Sequence, residues 1–204
     1  MKKILIAAAV GMLVAGHVAA QESPWLVRAR AVHLESVNDT TGTVHDLGVN
    51  VNNKWLPEVD ISYFLNKNVA AELILTVPQE HTVSDTSGAL GTFKHLPPTL
   101  TLQYHFTDLG AYKPYVGAGL NYTKISSVSL NKTGVGALTL DNSSFGAALQ
   151  AGVDIPLDKQ WSLNVDVKKV YIKTDVYTAA GANLGTLKLN PVLFGAGVGY
   201  RFYA

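Results

Sequence analysis

The stretch that most constrains this chain is Val192–Tyr203. Taking every second residue, Val192, Phe194, Ala196, Val198, Tyr200 and Phe202 fall on one face, all apolar or aromatic. Leu193, Gly195, Gly197, Gly199, Arg201 and Tyr203 fall on the other, mostly small or polar. Side chains alternate across a strand, so one face is apolar for its whole length while the opposite face cannot form a packed aliphatic core. A soluble sandwich needs large residues turned inward. A wall with lipid on one side and a narrow polar lumen on the other accommodates both faces, and predicts a transmembrane β-barrel.

The amino terminus fits export. Lys2 and Lys3 precede an apolar run over residues 4–15, followed by Gly16, His17, Val18, Ala19 and Ala20. This is the pattern of a secretory signal peptide over residues 1–20, cut between Ala20 and Gln21, leaving residues 21–204 as the barrel. The run is short of the roughly 18–20 apolar residues that a membrane anchor needs. Loss of Lys2 and Lys3 takes the formal charge from +1 to −1, which argues against nucleic acid as a partner. With no cysteine, disulfides, Cys-based metal sites and Cys nucleophiles are excluded. No later segment is apolar long enough to form a spanning helix, so export plus β patterning points to a bacterial outer membrane.

Period-two alternation recurs over residues 25–35, 54–64, 69–77, 99–106, 114–123 and 145–155, from Trp161 onward, and over 192–203. That predicts an all-β, eight-stranded antiparallel barrel. Residues 36–53, 78–98, 124–143 and 174–190 read as long polar loops, whereas the connections near Asn66, Gly110 and Asp158 are short. Outer-membrane barrels have long extracellular loops and short periplasmic turns, and this alternation matches. Trp25, Tyr63, Tyr104, Phe106, Trp161 and Phe202 fall at one end of the strands. Trp55, Tyr122, Phe145, Tyr171 and Phe194 fall toward the other, as two interfacial girdles would.

Four stretches carry a family likeness: His95-Leu96-Pro97-Pro98-Thr99-Leu100, Pro114-Tyr115-Val116-Gly117-Ala118-Gly119-Leu120-Asn121-Tyr122, Gly152-Val153-Asp154 and Gly199-Tyr200-Arg201-Phe202. Through them the chain resembles the OmpW/AlkL family of small outer-membrane barrels. The resemblance implies passive passage of small hydrophobic molecules through the outer membrane. At Lys168 this sequence departs from members that carry a large aromatic facing the lumen.

Eight strands enclose a lumen that side chains nearly fill. Its inward residues divide by height. Arg28, Arg30, Asp60, Glu72, Asp154, Asp166, Lys168 and Arg201 lie toward the periplasm, four basic and four acidic, and predict a charged plug whose members pair. Val32, Leu34, Ile74, Val170, Ile172 and Leu193 lie above it and predict an apolar upper lumen, either a ligand path or ordinary packing. Inward glycines such as Gly152 and Gly197 either leave room for a slender ligand or, the commoner role, permit barrel curvature and make space for Tyr115 and Arg201. Pro57, Pro78, Pro97, Pro98 and Pro191 stand near outer strand ends and cannot donate ladder hydrogen bonds, so they either weaken a seam for sideways exit or simply end strands. His33, His45, His81, His95 and His105 are scattered without metal-like spacing, and most read as loop or rim residues.

These readings leave no catalytic set, metal site or cofactor to expect. The leading function is a passive channel or binder for small hydrophobic solutes. A structural or adhesive barrel acting through its loops, and a narrow ion-conducting pore, remain as alternatives. The expected partners are outer-membrane lipid and lipopolysaccharide, hydrophobic solutes and, during assembly, the barrel-insertion machinery.

Overall fold

The computed structural model describes residues 22–36 and 39–203, so the segment read as a signal peptide lies outside the described residues. The elements in order are β1 (Glu22–Glu35), β2 (Asp39–Thr40), α1 (Thr43–Asp46), β3 (Asn50–Val51), β4 (Lys54–Phe64), β5 (Val69–Thr76), β6 (Gln79–Asp85) and β7 (Gly88–Leu96). They continue with β8 (Thr99–His105), β9 (Lys113–Lys132), β10 (Gly136–Leu140), β11 (Ser143–Pro156), β12 (Trp161–Val170), β13 (Lys173–Thr178), β14 (Asn183–Lys188) and β15 (Val192–Tyr203).

Eight of these strands close a barrel, each antiparallel to both neighbours, in the cyclic order β1, β4, β5, β8, β9, β11, β12, β15 and back to β1. Closure pairs each barrel strand with both neighbours and leaves no free sheet edge. The alternation seen in the sequence becomes alternating burial: on β8, Thr99, Thr101, Gln103 and His105 are buried while Leu100, Leu102 and Tyr104 face lipid. Trp25 meets Tyr63 edge-on at 4.8 Å, and Trp161 meets Tyr200 at 4.9 Å in the lower girdle. Trp55, Tyr122, Phe145, Tyr171 and Phe194 are exposed in the upper one.

Short side chains shape the turns and the wall. Asn66 Oδ1 accepts from the backbone N–H groups of Asn68 and Val69, each at 2.9 Å. Asp158 Oδ1 accepts from Gln160 and Trp161, each at 2.7 Å. Both are Asx turns that reverse the chain within four residues. At Gly197 a Cβ would stand 1.9 Å from the Ala29 carbonyl oxygen, and at Gly152 it would stand 2.4 Å from the Tyr115 ring. These inward glycines therefore serve close backbone approach and the seating of a plug residue.

The long extracellular connections are not irregular loops, which corrects the reading from composition. β9 continues past residue 123 to Lys132 and pairs with β7 and β10. Further pairings run from β10 through β13 and β14 to β2, and from β7 through β6 to β3. The result is a barrel extension above the upper girdle, with α1 joining β2 to β3. Its interior is mainly apolar: Val44, Val51, Val83, Phe93, Leu130, Leu138, Leu187 and Leu189 belong to one cluster with Val32, Leu34, Val170, Ile172 and Leu193 below.

Candidate functional site: a polar plug under an apolar cavity

Seven of the eight barrel strands send polar side chains to one level of the lumen, and the eighth, β15, supplies Gly195, Gly197 and Gly199 there. From β1, Arg28 Nε and Nη2 grip Asp154 at 3.0 and 2.6 Å. Its Nη1 reaches Asp60, Ser62 and Glu72 at 3.0–3.2 Å. Two residues on, Arg30 pairs with Glu58 through Nε at 2.9 Å and with Asp60 through Nη2 at 2.6 Å. Lys168 Nζ donates to Glu58 at 2.8 Å and to Asp166 at 2.6 Å. Lys168 thus closes the lumen with a cation.

Neutral groups complete the network. Tyr115 Oη and Gln150 Nε2 donate to Asp166 at 2.9 and 2.8 Å. Gln103 Nε2 and Thr101 Oγ1 donate to Glu72 at 2.7 and 3.1 Å, and Asn164 Nδ2 donates to Asp154 at 2.9 Å. Taking these charges from water is costly, and only dense mutual pairing offsets it.

The composition of the plug differs from the balanced set expected. Arg201 lies below this level, at the periplasmic mouth: its Nε donates to the Ser23 carbonyl at 2.9 Å and its guanidinium lies 3.9 Å over Phe64. Glu58 takes its place. Three cations, Arg28, Arg30 and Lys168, therefore face five carboxylates, Glu58, Asp60, Glu72, Asp154 and Asp166, and the amide and hydroxyl donors help solvate the excess. Period-two alternation along β4 puts Glu58 on the same face as Asp60, and its height in the lumen comes from the closed barrel.

The plug separates two spaces. Below it a vestibule of about 280 Å³, lined by Leu26, Phe64, His105 and Arg201, faces the periplasm. Above it lies an apolar cavity walled by Leu34, Leu56, Ile74, Val170, Ile172 and Leu193. The free space there is about 20 Å³, room for about one water molecule. Five of the six residues read as upper lumen line this cavity; the sixth, Val32, is fully buried beside Gly195. Thr76, His95, Pro97, Thr99 and Pro191 also line it and were not anticipated.

Next to the cavity the barrel wall is interrupted. β5 and β8 pair from Val69↔Tyr104 up to Ile74↔Thr99, and the next pair between these two chain segments is Gln79↔His95. In between, Pro78, Pro97 and Pro98 have no N–H to give. Local bonds occupy some remaining groups: Thr76 Oγ1 donates to the Pro57 carbonyl and Thr99 Oγ1 to that of Pro97.

The histidine assignment also changes. His81, His95 and His105 are buried, not loop or rim residues. Both β6 and β7 turn one face into the extension, and that face carries His81, Phe93 and His95. His81 and His95 stack at 4.7 Å, above the girdle where Leu96 pairs with Lys124. Burial, then His81 and Lys54, holds the His95 imidazole down to about 3, and burial lowers His81 as well.

The OmpW family model matches residues 21–202. The chain belongs to the OmpW family. An uncharacterized outer-membrane protein of Sinorhizobium fredii is 42% identical over 193 residues, covering 91% of this chain and 82% of that protein. A dibenzothiophene metabolism operon protein of Pseudomonas aeruginosa is 28% identical, covering 90% of each chain. The crystal structure of the outer-membrane protein OprG from Pseudomonas aeruginosa superposes with a TM-score of 0.74 at 23% identity, covering 90% of this chain and 98% of that one. Family membership and the closed barrel place the protein in the bacterial outer membrane.

Proposed function

We propose that this member of the family passes small hydrophobic molecules through the outer membrane without an energy source, taking them into the upper lumen and releasing them sideways into the bilayer. The observation that carries this reading is the interrupted β5–β8 seam, whose Thr76, Pro97 and Thr99 line the apolar cavity directly above a sealed plug. Straight-through passage would have to break an interlocked set of buried ion pairs; sideways exit requires only that a proline-bounded gap widen. An apolar solute gains about 25 cal/mol per Å² of surface removed from water, which favours entry into such walls. The relative named for a dibenzothiophene operon supports an apolar solute class. The same interlocked plug opposes a narrow ion-conducting pore.

A crosslink tests the route. The pairs Ile74↔Thr99 and Gln79↔His95 bound the gap, and Thr76 and Pro97 stand on its two sides, both lining the cavity. In a chain without cysteine, the double variant Thr76→Cys/Pro97→Cys adds one addressable pair. Oxidised cells should lose most uptake of N-phenylnaphthylamine, and reduction should restore it. Full uptake through the oxidised, folded barrel overturns the sideways route.

A further inference from the structure

Among the polar side chains lining the upper cavity, His95 differs from the rest. Thr76 and Thr99 hydroxyls donate to backbone carbonyls, and Glu58 and Lys168 are bound to each other. His95 is 2% exposed, and neither of its ring nitrogens has a hydrogen-bond partner. Its neighbour His81 uses Nδ1 toward the Asn52 carbonyl at 3.1 Å and leaves Nε2 without one. Phe93 extends the stack, 5.9 Å from His81 and 6.2 Å from His95. A cavity walled mainly by aliphatic side chains, which has to widen beyond the space of one water to take a solute, thus has in its wall one flat ring whose nitrogens lack hydrogen-bond partners.

We propose that His95 anchors the solute, and that the molecules held in the upper lumen are neutral amphiphiles, a flat apolar body bearing one hydroxyl or carbonyl group. This rests on the reading of the upper lumen as a solute site. A neutral imidazole carries one N–H donor and one bare acceptor nitrogen, so it serves either group. A pure hydrocarbon would leave those nitrogens buried and unpaired, whereas a hydroxyl or carbonyl relieves that penalty. A carboxylate or ammonium would lose its hydration against aliphatic walls without a counter-charge, since Glu58 and Lys168 are already committed. The flat body follows from the ring stack beside the site.

The test uses the folded protein in lipid nanodiscs with naphthalene and 1-naphthol as probes, each affinity corrected for partition into protein-free discs. The expected result is that 1-naphthol binds about tenfold or more tightly than naphthalene and shifts the ¹⁵N resonances of the His95 ring. His95→Phe should keep naphthalene binding and lose the preference, while His81→Phe should keep both. Equal binding of the two probes, unmoved His95 resonances, or a preference that survives in His95→Phe overturns the anchor while the upper-lumen site stands. If neither probe binds, the site and the anchor fall together. The ¹⁵N readout on the unaltered protein decides the matter even if His95→Phe does not fold.

Discussion

Replacing Lys168 by Met removes one buried cation and nothing else of comparable size. Its ammonium bonds Glu58 and Asp166 at 2.8 and 2.6 Å and is 2% exposed. Glu58 keeps Arg30 Nε at 2.9 Å, but Asp166 Oδ1 loses the one donor given to it, while Oδ2 keeps Tyr115, Gln150 and a longer ion pair with Arg30 at 3.6 Å. The plug falls to two cations against five carboxylates. Stripping one partner from a buried pair costs about 3–5 kcal/mol. Because Glu58 stays paired and Met restores some apolar contact, the lower end, about 3 kcal/mol, is the expected loss. Urea unfolding in lipid vesicles, followed by the heat-modifiable gel band, measures it. Adding Asp166→Asn should recover at least half, since the charge then left with only the longer Arg30 pair goes with it. A Lys168→Met barrel within about 1 kcal/mol of the parent would refute the view that this lysine compensates buried carboxylates. Uptake of hydrophobic probes should persist in the folded variant if solutes leave above the plug.

Three further outcomes follow from the same geometry. Ile74→Lys, which puts a charge in the cavity wall, should lower uptake of hydrophobic probes several-fold while the barrel stays heat-modifiable; unchanged uptake removes the cavity from the route. Leu149→Arg, on the lipid face of β11 below Phe145 of the upper girdle, should cost about 2–4 kcal/mol and slow insertion into vesicles, measured by refolding yield. The third concerns pH. His95 titrates near 3 in the folded chain against an ordinary 6.5, so between those values the unfolded state holds more protons and stability falls as pH falls. The slope from this group is at most about 1.4 kcal/mol per pH unit. Comparing the parent with His95→Leu in urea between pH 7 and pH 4 isolates it, and equal slopes would show that His95 is not the group responsible.

What could be read from the amino acids alone is what the two solvents impose. Lipid outside and a polar lumen inside force period-two alternation, so the eight barrel strands were visible, and residues 54–64 coincide with β4. Above the upper girdle that contrast disappears. Water bathes the outside, and the interior accepts Gln79, His81 and Asp85 beside Val83, so β6 and β7 look like polar loop until their pairing with each other and with β9 is known. Alternation also gives a residue's face without its height. Strand tilt and stagger set height, and they placed Arg201 at the periplasmic mouth and Glu58 in the plug. For the same reason, the meeting of Arg28 with Asp154, 126 residues away in the chain, belongs to the closed barrel alone. The sequence holds the charges and their facing, and closure of the eight-stranded ring decides which of them touch.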